Sequence, residues 1–328
     1  MNRQNKNKMQ GESPAFFLIP HFNMKNVLIA TDKPFAPAAI KKIGKVIKKA
    51  GYKLDLLENY KSKQEFLNTV KNAEALIVRS DIVDAEVINA APDLKIVVRA
   101  GAGYDNIDLK TASEKGIVVM NTPGQNANAV AELAVGLAIF GIREQFSGKM
   151  GGELRGRTLG LHGFGFVARN VFRIARALGM KVIVYTQYSK EAAAAIGLKV
   201  VHSLEQLYEK SDVISIHVPA KGEHIKSVSY KVLKHLKDGS IIVNTARKEV
   251  INEPDLLKIM EEKPGIKYMS DVAPDYANEF GEKFPGRYFF TPKKAGAQTE
   301  EANLNAGVAA AEQIVDFFEH GDVGCKVN

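Results

Sequence analysis

The sequence predicts an α/β protein with two domains, each built around a parallel β-sheet that helices cover. Its 328 residues exceed the usual size of one domain, and a hydrophobic content of 45% is enough for two cores. From residue 24 onward, short apolar runs typical of strands alternate with patterns typical of helices. Such alternation indicates parallel strands joined by helical crossovers.

The strand patterns fall into two blocks. The first block has strands at 25–30, 54–57, 76–78, 96–98 and 117–119, and the second has strands at 158–161, 182–184, 214–217, 241–244 and 269–272. Between the blocks, the apolar stretch 127–145 predicts a long helix buried between the domains, and 299–320 predicts a long final helix. Ser62 and Glu65 have the spacing of a capping box that starts a helix.

A glycine-rich turn lies inside the second block. Gly163, Gly165 and Ala168 follow a strand with GxGxxA spacing, and a helix and a second strand come after them. Gly163 permits the tight turn, and Gly165 lets a pyrophosphate approach the backbone at the positive end of the helix. We expect Phe166 and Val167, in the same turn, to contact the cofactor. The alternative is an ordinary strand-to-helix corner, but the order of strand, turn, helix and strand favours a dinucleotide site.

The second strand of this unit lacks the acidic residue that usually follows it and binds the adenosine ribose. Thr186 occupies that position and Gln187 follows it. Thr186 cannot repel a ribose 2′-phosphate, and Lys190 could attract one. We therefore predict NAD as the cofactor, with NADP as the open alternative.

Composition argues against several other classes of protein. No apolar run approaches the ~20 residues that a membrane span needs. The single cysteine, Cys325, excludes an internal disulfide and fits the reducing cytoplasm, where we expect the protein. The net charge of +8 comes with lysines spread over helix faces, so solvated surfaces or an anionic substrate explain it better than nucleic acid. We expect no nucleic acid, no membrane and no bound metal.

Residues 1–23 differ from the rest of the chain. They begin with a polar stretch without periodicity, and the apolar run 16–19 is too short for a secretory signal. We expect a disordered N-terminal extension here. The sequence leaves open that Met24 is the natural start.

Several motifs give the chain a specific resemblance to a known family. They are VVRAGAGYDNID (97–108), NTPGQNANAVAEL (121–133), the glycine turn, ISIHVP (214–219), VNTAR (243–247), SDVAP (270–274) and TPKKAGAQTEEAN (291–303). With these motifs the chain resembles the D-isomer-specific 2-hydroxyacid dehydrogenases, and most of all their phosphoglycerate dehydrogenase branch.

The resemblance implies a particular domain organisation. Two Rossmann-like domains with parallel sheets are expected, and the cofactor domain is inserted into a discontinuous substrate domain. The substrate domain would comprise residues 24–125 plus 300–328, and the nicotinamide dinucleotide-binding domain residues 126–299. The active site would lie in the cleft between them, and the protein would form a homodimer.

Arg247 is the first predicted catalytic residue. It follows the strand 241–244, at the sheet edge where ligands bind in open α/β sheets. A guanidinium there can hold a substrate carboxylate and polarise the neighbouring carbonyl. The alternative is a surface arginine paired with Glu249 or Glu253.

A lysine is the second predicted catalytic residue. The family usually has its acid/base histidine in the last motif, whereas this chain has two lysines there. Counting back from Gly296 places Lys294 at the histidine position, and counting forward from Thr291 selects Lys293. We prefer Lys294, because the following helix fixes the count. Burial and nearby Arg247 would lower its pKa from the ordinary ~10.4 towards neutrality.

The resemblance also implies cofactor contacts at the ends of strands. Val218 and Pro219 match a cofactor-contacting turn, and Thr245 is expected to face the nicotinamide ribose. Asp271 is a candidate acceptor for the nicotinamide carboxamide, with a helix N-cap as the alternative. His217 is interpreted as a packed strand-end histidine.

Substrate contacts are expected from the first block. Arg79 and Ser80 end a strand, and we predict that Arg79 binds a substrate phosphate. Backbone N–H groups of the turn at Ala102 and Gly103 could bind a carboxylate, although an ordinary strand-ending turn is the alternative. Asn126 matches a substrate-side asparagine of the family.

The resemblance favours one reaction. It is the NAD(P)-dependent oxidation of the C2 hydroxyl of 3-phospho-D-glycerate to 3-phosphohydroxypyruvate, in serine biosynthesis. One alternative is a glyoxylate or hydroxypyruvate reductase, and another is a non-catalytic protein that senses dinucleotide. Loss of the histidine favours the sensing protein, whereas Arg247 and the paired lysines favour an enzyme. For an enzyme of this family, the expected partner is a small anionic 2-hydroxy or 2-keto acid substrate.

Overall fold

The computed structural model describes residues 24–187 and 190–328, which form two parallel β-sheets covered by helices. The predicted α/β class with two parallel sheets is therefore confirmed. The predicted extension at residues 1–23 lies outside the described residues.

The first sheet is built from the first block of predicted strands. Its strands are β1 (Asn26–Thr31), β2 (Lys53–Glu58), β3 (Ala75–Val78), β4 (Ile96–Arg99) and β5 (Val118–Asn121). They lie in the order β2-β1-β3-β4-β5, and all neighbours are parallel. The helices of this region are α1 (Pro37–Lys49), α2 (Lys63–Val70), α3 (Ala85–Ala90) and α4 (Leu109–Glu114). Ser62 caps α2 by accepting from the Glu65 N–H, as predicted.

The second sheet contains seven strands. They are β6 (Thr158–His162), β7 (Lys181–Tyr185), β8 (Lys199–Val200), β9 (Val213–Ile216), β10 (Ile241–Asn244), β11 (Lys267–Ser270) and β12 (Tyr288–Phe290). The helices around this sheet are α5 (Ala127–Ile142), α6 (Phe166–Ala177), α7 (Lys190–Ala195), α8 (Leu204–Lys210), α9 (Tyr230–Leu233), α10 (Glu253–Glu262) and α11 (Ala277–Lys283). The final helix of the chain is α12 (Glu300–His320).

The spatial order of this sheet is β12-β11-β10-β9-β6-β7-β8. The direction of winding reverses between β6 and β9, and such a reversal creates a crevice at the carboxyl ends of the strands. The glycine turn follows β6 directly, so it lies at this crevice. The edge strands β8 and β12 were not predicted, because two or three residues carry no readable period.

Helix α12 returns to the first sheet after the second sheet is complete. Its buried residues Ala306, Ala310 and Ile314 share a core with Ile43 and Ile47 of α1. Gln313 of α12 also donates to the carbonyl oxygen of Asn121 at 3.0 Å, next to the point where the chain leaves the first sheet. The second domain is thus inserted into the first, as predicted, while the domain boundaries themselves stay a prediction.

Helix α5 is the buried link between the two sheets. It packs against α6, β10 and β11, and touches α12. The helix ends at Ile142 rather than at the predicted residue 145. Glu144, Gln145 and Phe146 have φ values of 52°, 57° and 54°. An α-helix cannot continue through left-handed backbone, so the prediction of its end was wrong.

Within residues 24–187 and 190–328, no helix combines the length and the apolar character that crossing a membrane requires.

Candidate active site

Loops that follow the strands of both sheets line one cavity of about 520 Å³. It contains most of the predicted site residues: Arg247, Lys294, Val167, Pro219, Thr245, Ser80, Ala102, Gly103 and Asn126. The structure therefore brings together groups from the substrate side and from the cofactor side of the prediction, and the cavity is the candidate active site.

The glycine turn at the edge of this cavity fits a dinucleotide pyrophosphate. Gly163 has φ +97°, and a side-chain carbon there would lie 2.7 Å from the carbonyl oxygen of His217, so only glycine fits. Gly165 is the N-cap of α6 and supplies no side-chain cap, and the space beside it is open. The first N–H groups of α6 are therefore available to donate to an anion.

A second cavity of about 220 Å³ extends from the same turn. Its walls include the predicted residues Gly163, Gly165, Thr186, Val218 and Pro219, together with His162, Phe164, Tyr185, Gln187 and His224. No carboxylate is among these described residues, so the wall carries no group that repels a 2′-phosphate. Phe166 does not line either cavity; it is 61% exposed, and its ring lies over Gly124.

Three cationic side chains face the larger cavity, namely Arg99, Arg247 and Lys294. The one carboxylate in its described lining is Asp105, whose Oδ2 lies 3.8 Å from Nη2 of Arg247. Arg247 does not pair with Glu249 or Glu253, the partners of the alternative interpretation. Since Asp105 is exposed and offsets only part of the positive charge, the cavity attracts small anions.

The surroundings of Lys294 lower the pKa of its side-chain amine. As a residue it is exposed, because it borders the open cleft. Desolvation of its ammonium and the positive charge of Arg247 nevertheless lower its pKa from 10.5 to about 8, against the opposing effect of Asp271. Lys293 does not line the cavity. The geometry thus favours Lys294 over its neighbour.

His217 lies in the same cavity wall and behaves differently. Its Nε2 is 2.8 Å from the Ser215 hydroxyl, and burial lowers its pKa from 6.5 to about 3. The ring is therefore neutral at physiological pH. The sequence predicted a packed strand-end histidine here. Its position in the cavity wall was not predicted.

Thr245 and Asp271 have contrasting surroundings. The buried Thr245 hydroxyl has no hydrogen-bond partner among the described residues, which suits a polar ligand in the cavity. Asp271 does not line the cavity and is 1% exposed. Its carboxylate accepts from the Thr291 hydroxyl and from the N–H groups of Ala295 and Gly296. A nicotinamide contact by Asp271 stays a prediction.

Arg79 is directed away from the cavity. Its guanidinium donates to the carbonyl oxygens of Lys33 and Pro34 and to Oδ1 of Asn303, at 2.8, 3.2 and 2.6 Å. The arginine of the first sheet that reaches the cavity is Arg99, which was not among the predicted site residues. Its position at the end of β4, beside β3, was the available signal, because parallel strands end at the same sheet edge.

Gly101 allows Arg99 to reach the cavity. The arginine side chain folds over Gly101, which has φ +153°, and a side-chain carbon there would lie 1.5 Å from Nη1 of Arg99. Arg99 also donates from Nε to the carbonyl oxygen of Arg79 at 3.0 Å. Desolvation, Arg79 and Arg247 lower its pKa, and Asp105 raises it. Arg99 therefore belongs to the same charged cluster as Arg247.

The two domains also touch at the mouth of the cleft. Lys221, after β9, donates to the Tyr104 hydroxyl and lies 4.7 Å from the centre of its ring. Together with the pair of Arg247 and Asp105, this contact joins the loop after β4 to the second domain.

Comparison with known proteins identifies the class. The sequence model described as "D-isomer specific 2-hydroxyacid dehydrogenase, catalytic domain" matches residues 27–328. The chain therefore belongs to the D-isomer-specific 2-hydroxyacid dehydrogenase family, and the predicted resemblance is confirmed.

Two relatives show which members of the family the chain is similar to. D-3-phosphoglycerate dehydrogenase of Archaeoglobus fulgidus is 38% identical over 286 residues, which cover 81% of this chain and 54% of that protein. Hydroxypyruvate reductase of Thermotoga maritima is 36% identical over 282 residues, covering 80% of this chain and 90% of that protein. The chain thus spans about half the length of the first relative and most of the second.

One solved structure is similar to this chain over nearly its whole length. The crystal structure of cofactor (NAD⁺)-bound 3-phosphoglycerate dehydrogenase in Entamoeba histolytica is 45% identical to this chain, with a TM-score of 0.82. The match covers 93% of this chain and 99% of that one. It supports the two-domain Rossmann-like fold class.

Proposed function

We propose that this protein is an NAD(P)-dependent dehydrogenase that interconverts a small D-2-hydroxy acid and its 2-keto acid. The observation that carries the proposal is the convergence of Arg247, Arg99 and Lys294 on one cavity beside the glycine turn. A positively charged cavity next to a dinucleotide-binding turn suits hydride transfer to or from an anionic substrate.

The side chains divide the work of the reaction. Arg247 binds the substrate carboxylate and polarises the C2 oxygen as it becomes a carbonyl. In oxidation, the neutral Lys294 amine takes the proton of the C2 hydroxyl; in reduction, its ammonium returns that proton. The nicotinamide cofactor, when bound, supplies the hydride acceptor or donor. Thr245, Val167 and Pro219 would hold and orient it from the cavity wall.

The favoured substrate pair is 3-phosphoglycerate and 3-phosphohydroxypyruvate. Arg247 suffices for a carboxylate, so a second arginine, Arg99, is left for a further anionic group. The relatives from Archaeoglobus fulgidus and Entamoeba histolytica support this choice by their names. Ser80, Ala102, Gly103 and Asn126 complete the substrate wall.

Hydroxypyruvate or glyoxylate reduction is the second candidate. It is favoured by the position of Arg79, whose guanidinium is held by Lys33, Pro34 and Asn303 rather than directed into the cavity. The Thermotoga maritima relative, which matches over most of its own length, is named for this activity.

The cofactor is proposed to be NAD, with NADP accepted at a modest disadvantage. The wall around Thr186 holds no carboxylate among its described residues, so a 2′-phosphate meets no charge repulsion there. We expect kcat/KM with NADPH to lie within about a hundredfold of the value with NADH. A larger preference for NADH would mean that a carboxylate from elsewhere reaches the ribose.

The remaining expectations from the sequence are kept as proposals. The enzyme is proposed to be a cytoplasmic homodimer with domains at residues 24–125 plus 300–328 and 126–299. Sedimentation equilibrium would distinguish a dimer from a monomer.

A steady-state assay of the purified protein tests the proposed function. The substrates are 3-phosphohydroxypyruvate, hydroxypyruvate and glyoxylate, each with NADH and with NADPH. We expect the highest kcat/KM with 3-phosphohydroxypyruvate. An equal or higher value with hydroxypyruvate would favour the reductase, and no turnover with any of them would reject the dehydrogenase proposal.

A further inference from the structure

We propose that Asp271 is the positioning residue of Lys294: its buried carboxylate fixes the turn that carries the lysine. This inference rests on the proposed function, in which Lys294 is the acid/base. It assigns Asp271 a task within the protein itself, which differs from a contact with the nicotinamide.

The geometry of the turn is the first support. β11 ends at Ser270, so Asp271 stands at the carboxyl end of a central strand, and its own N–H donates to the Asn244 carbonyl oxygen at 2.9 Å. Oδ1 accepts from the Thr291 hydroxyl at 3.1 Å and from the Ala295 N–H at 2.7 Å. Oδ2 accepts from the Gly296 N–H at 2.9 Å. The three donors come from both ends of the turn at residues 291–296.

The close fit of the turn is the second support. Thr291 is also held by its backbone, because its N–H donates to the carbonyl oxygen of Ser270 at 3.0 Å. A side-chain carbon at Gly296 would lie 2.8 Å from Oδ2 of Asp271. The carboxylate thus has room for the glycine N–H and for nothing larger. Lys294 lies between these two fixed ends.

The chemistry of a proton-transfer group is the third support. A side-chain base works when a third group orients it towards the reacting atom. Lysine has a flexible four-carbon stem, so its amine can occupy many positions. Fixing the backbone of the residue reduces the number of these positions. A carboxylate that accepts two backbone N–H groups beside Lys294 supplies that restraint without blocking the amine.

The charge of Asp271 has a second effect that can be measured. The charged groups around the Lys294 amine are Arg247 after β10, Asp271 after β11, and Arg99 and Asp105 in and after β4. The arginines lower its pKa, whereas Asp271 and Asp105 raise it. His217 shares the cavity but is neutral. Removing the charge of Asp271 should therefore move the titration of Lys294 to lower pH.

The test compares Asp271→Asn with Thr291→Val in the full-length protein. Asparagine keeps the shape, but it loses the charge and cannot accept all three hydrogen bonds. Thr291→Val removes one neutral donor and leaves the charge and both backbone bonds in place. For Asp271→Asn we expect kcat to fall by about 10²-fold, as for a misplaced catalytic group, while the dissociation constant of the dinucleotide stays within about threefold. For Thr291→Val we expect a loss of less than about tenfold.

The titration of Lys294 is followed separately from activity. Lysines are reductively methylated with ¹³C-formaldehyde, and the Lys294 resonance is the one absent from the Lys294→Met variant. Its midpoint should move to lower pH in Asp271→Asn and stay in place in Thr291→Val. Gly296→Ala, which crowds the carboxylate but keeps its charge, should lower kcat without moving the midpoint. It serves as the second variant if Asp271→Asn does not fold.

The outcomes separate this inference from the proposed function. An unchanged kcat and midpoint in Asp271→Asn would overturn the positioning role. Weaker dinucleotide binding with an unchanged kcat would also overturn it and make Asp271 a cofactor ligand. A wild type that turns over no keto acid would reject the dehydrogenase proposal, whereas a shifted midpoint in its Asp271→Asn variant would still show that the Asp271 carboxylate lies beside the Lys294 amine.

Discussion

His217 and Lys294 face the same cavity, and burial lowers the pKa of both, with opposite consequences for proton exchange at neutral pH. The imidazole has an ordinary pKa near neutrality, but burial lowers this pKa to about 3, so the ring is neutral at physiological pH. The lysine amine starts from 10.5 and is brought down to about 8. Histidine ordinarily has a pKa suited to proton exchange at neutral pH, but the pKa of His217 is too low for it. Lysine ordinarily has a pKa that is too high, but the pKa of Lys294 lies close to neutral pH.

The difference shows that the surroundings of a side chain, and not its identity alone, set the pH at which it can exchange a proton. Desolvation favours the neutral form of both groups. For histidine this moves the pKa away from physiological pH, whereas for lysine the same effect moves it closer. Activity measurements can test whether this contrast controls the reaction.

Replacing Lys294 with methionine should have the largest effect. Methionine keeps much of the stem but has no titratable nitrogen, so kcat should fall by about 10²–10⁴-fold, the usual range for losing a general acid or base. Steady-state kinetics give kcat, and calorimetry should show almost unchanged dinucleotide binding. Lys293→Met is the matched control, because Lys293 lies outside the cavity. Collapse in the Lys293 variant with near-normal turnover in the Lys294 variant would transfer the role to Lys293.

Replacing Arg247 with glutamine should have the next largest effect. It removes the guanidinium that is proposed to stabilise charge on the C2 oxygen, so kcat should fall by about 10²–10³-fold. It also removes a positive neighbour of Lys294, so the pH limb of the remaining activity should move to higher pH. Arg247→Lys keeps the charge and should leave the limb near its original position. A limb that stays at the same pH in Arg247→Gln would show that the charge of Arg247 does not affect the pKa of Lys294.

The pH dependence of the wild-type enzyme should follow Lys294 alone. Oxidation needs the neutral amine, so kcat should fall about tenfold per unit below pH 8 and level off above it. Reduction needs the ammonium, so its rate should be level below pH 8 and fall as the pH rises beyond it. Rate profiles in both directions test this. A limb between pH 6 and 7 would instead indicate a histidine.

Replacing His217 with asparagine should have the smallest effect. Asparagine is neutral, as the ring is, and can still bond to Ser215, so kcat should change by less than about tenfold, the value of one hydrogen bond. The pH limb near 8 should stay. A loss of kcat as large as that in Lys294→Met would show that His217 is as important for turnover as Lys294.

Much of the fold was readable from the sequence, because central parallel strands are continuous apolar runs with helices between them. The helix-capping residues Ser62 and Glu65 also act locally, so their pattern predicted the start of α2. The edge strand β12 has only three residues, and β8 only two, which is too few to show a period. Helix α5 ends before three non-glycine residues with left-handed backbone. No local sequence pattern predicted this backbone conformation.

The site was predictable where the chemistry is local, as at Gly163. It was less predictable where side-chain direction decides the role. Arg79 directly follows β3 and Arg99 ends β4 at the same sheet edge, but Arg79 turns to Asn303 whereas Arg99 folds over Gly101 into the cavity. Likewise, Asp271 follows a strand as a cofactor ligand would, yet it is enclosed by a turn more than twenty residues further along the chain. Such directions come from tertiary packing.

The insertion of one domain into the other restricts how the cleft can open. The chain crosses between the domains twice, after β5 and before α12, and Gln313 links α12 to the carbonyl oxygen of Asn121 beside the first crossing. Two neighbouring crossings tether the inserted domain at one side, so we expect any change in the width of the cleft to be mainly a rotation about the line that joins them. Arg99 belongs to the first sheet and Arg247 follows β10 of the second, so such a rotation would change the distance between the two guanidinium groups.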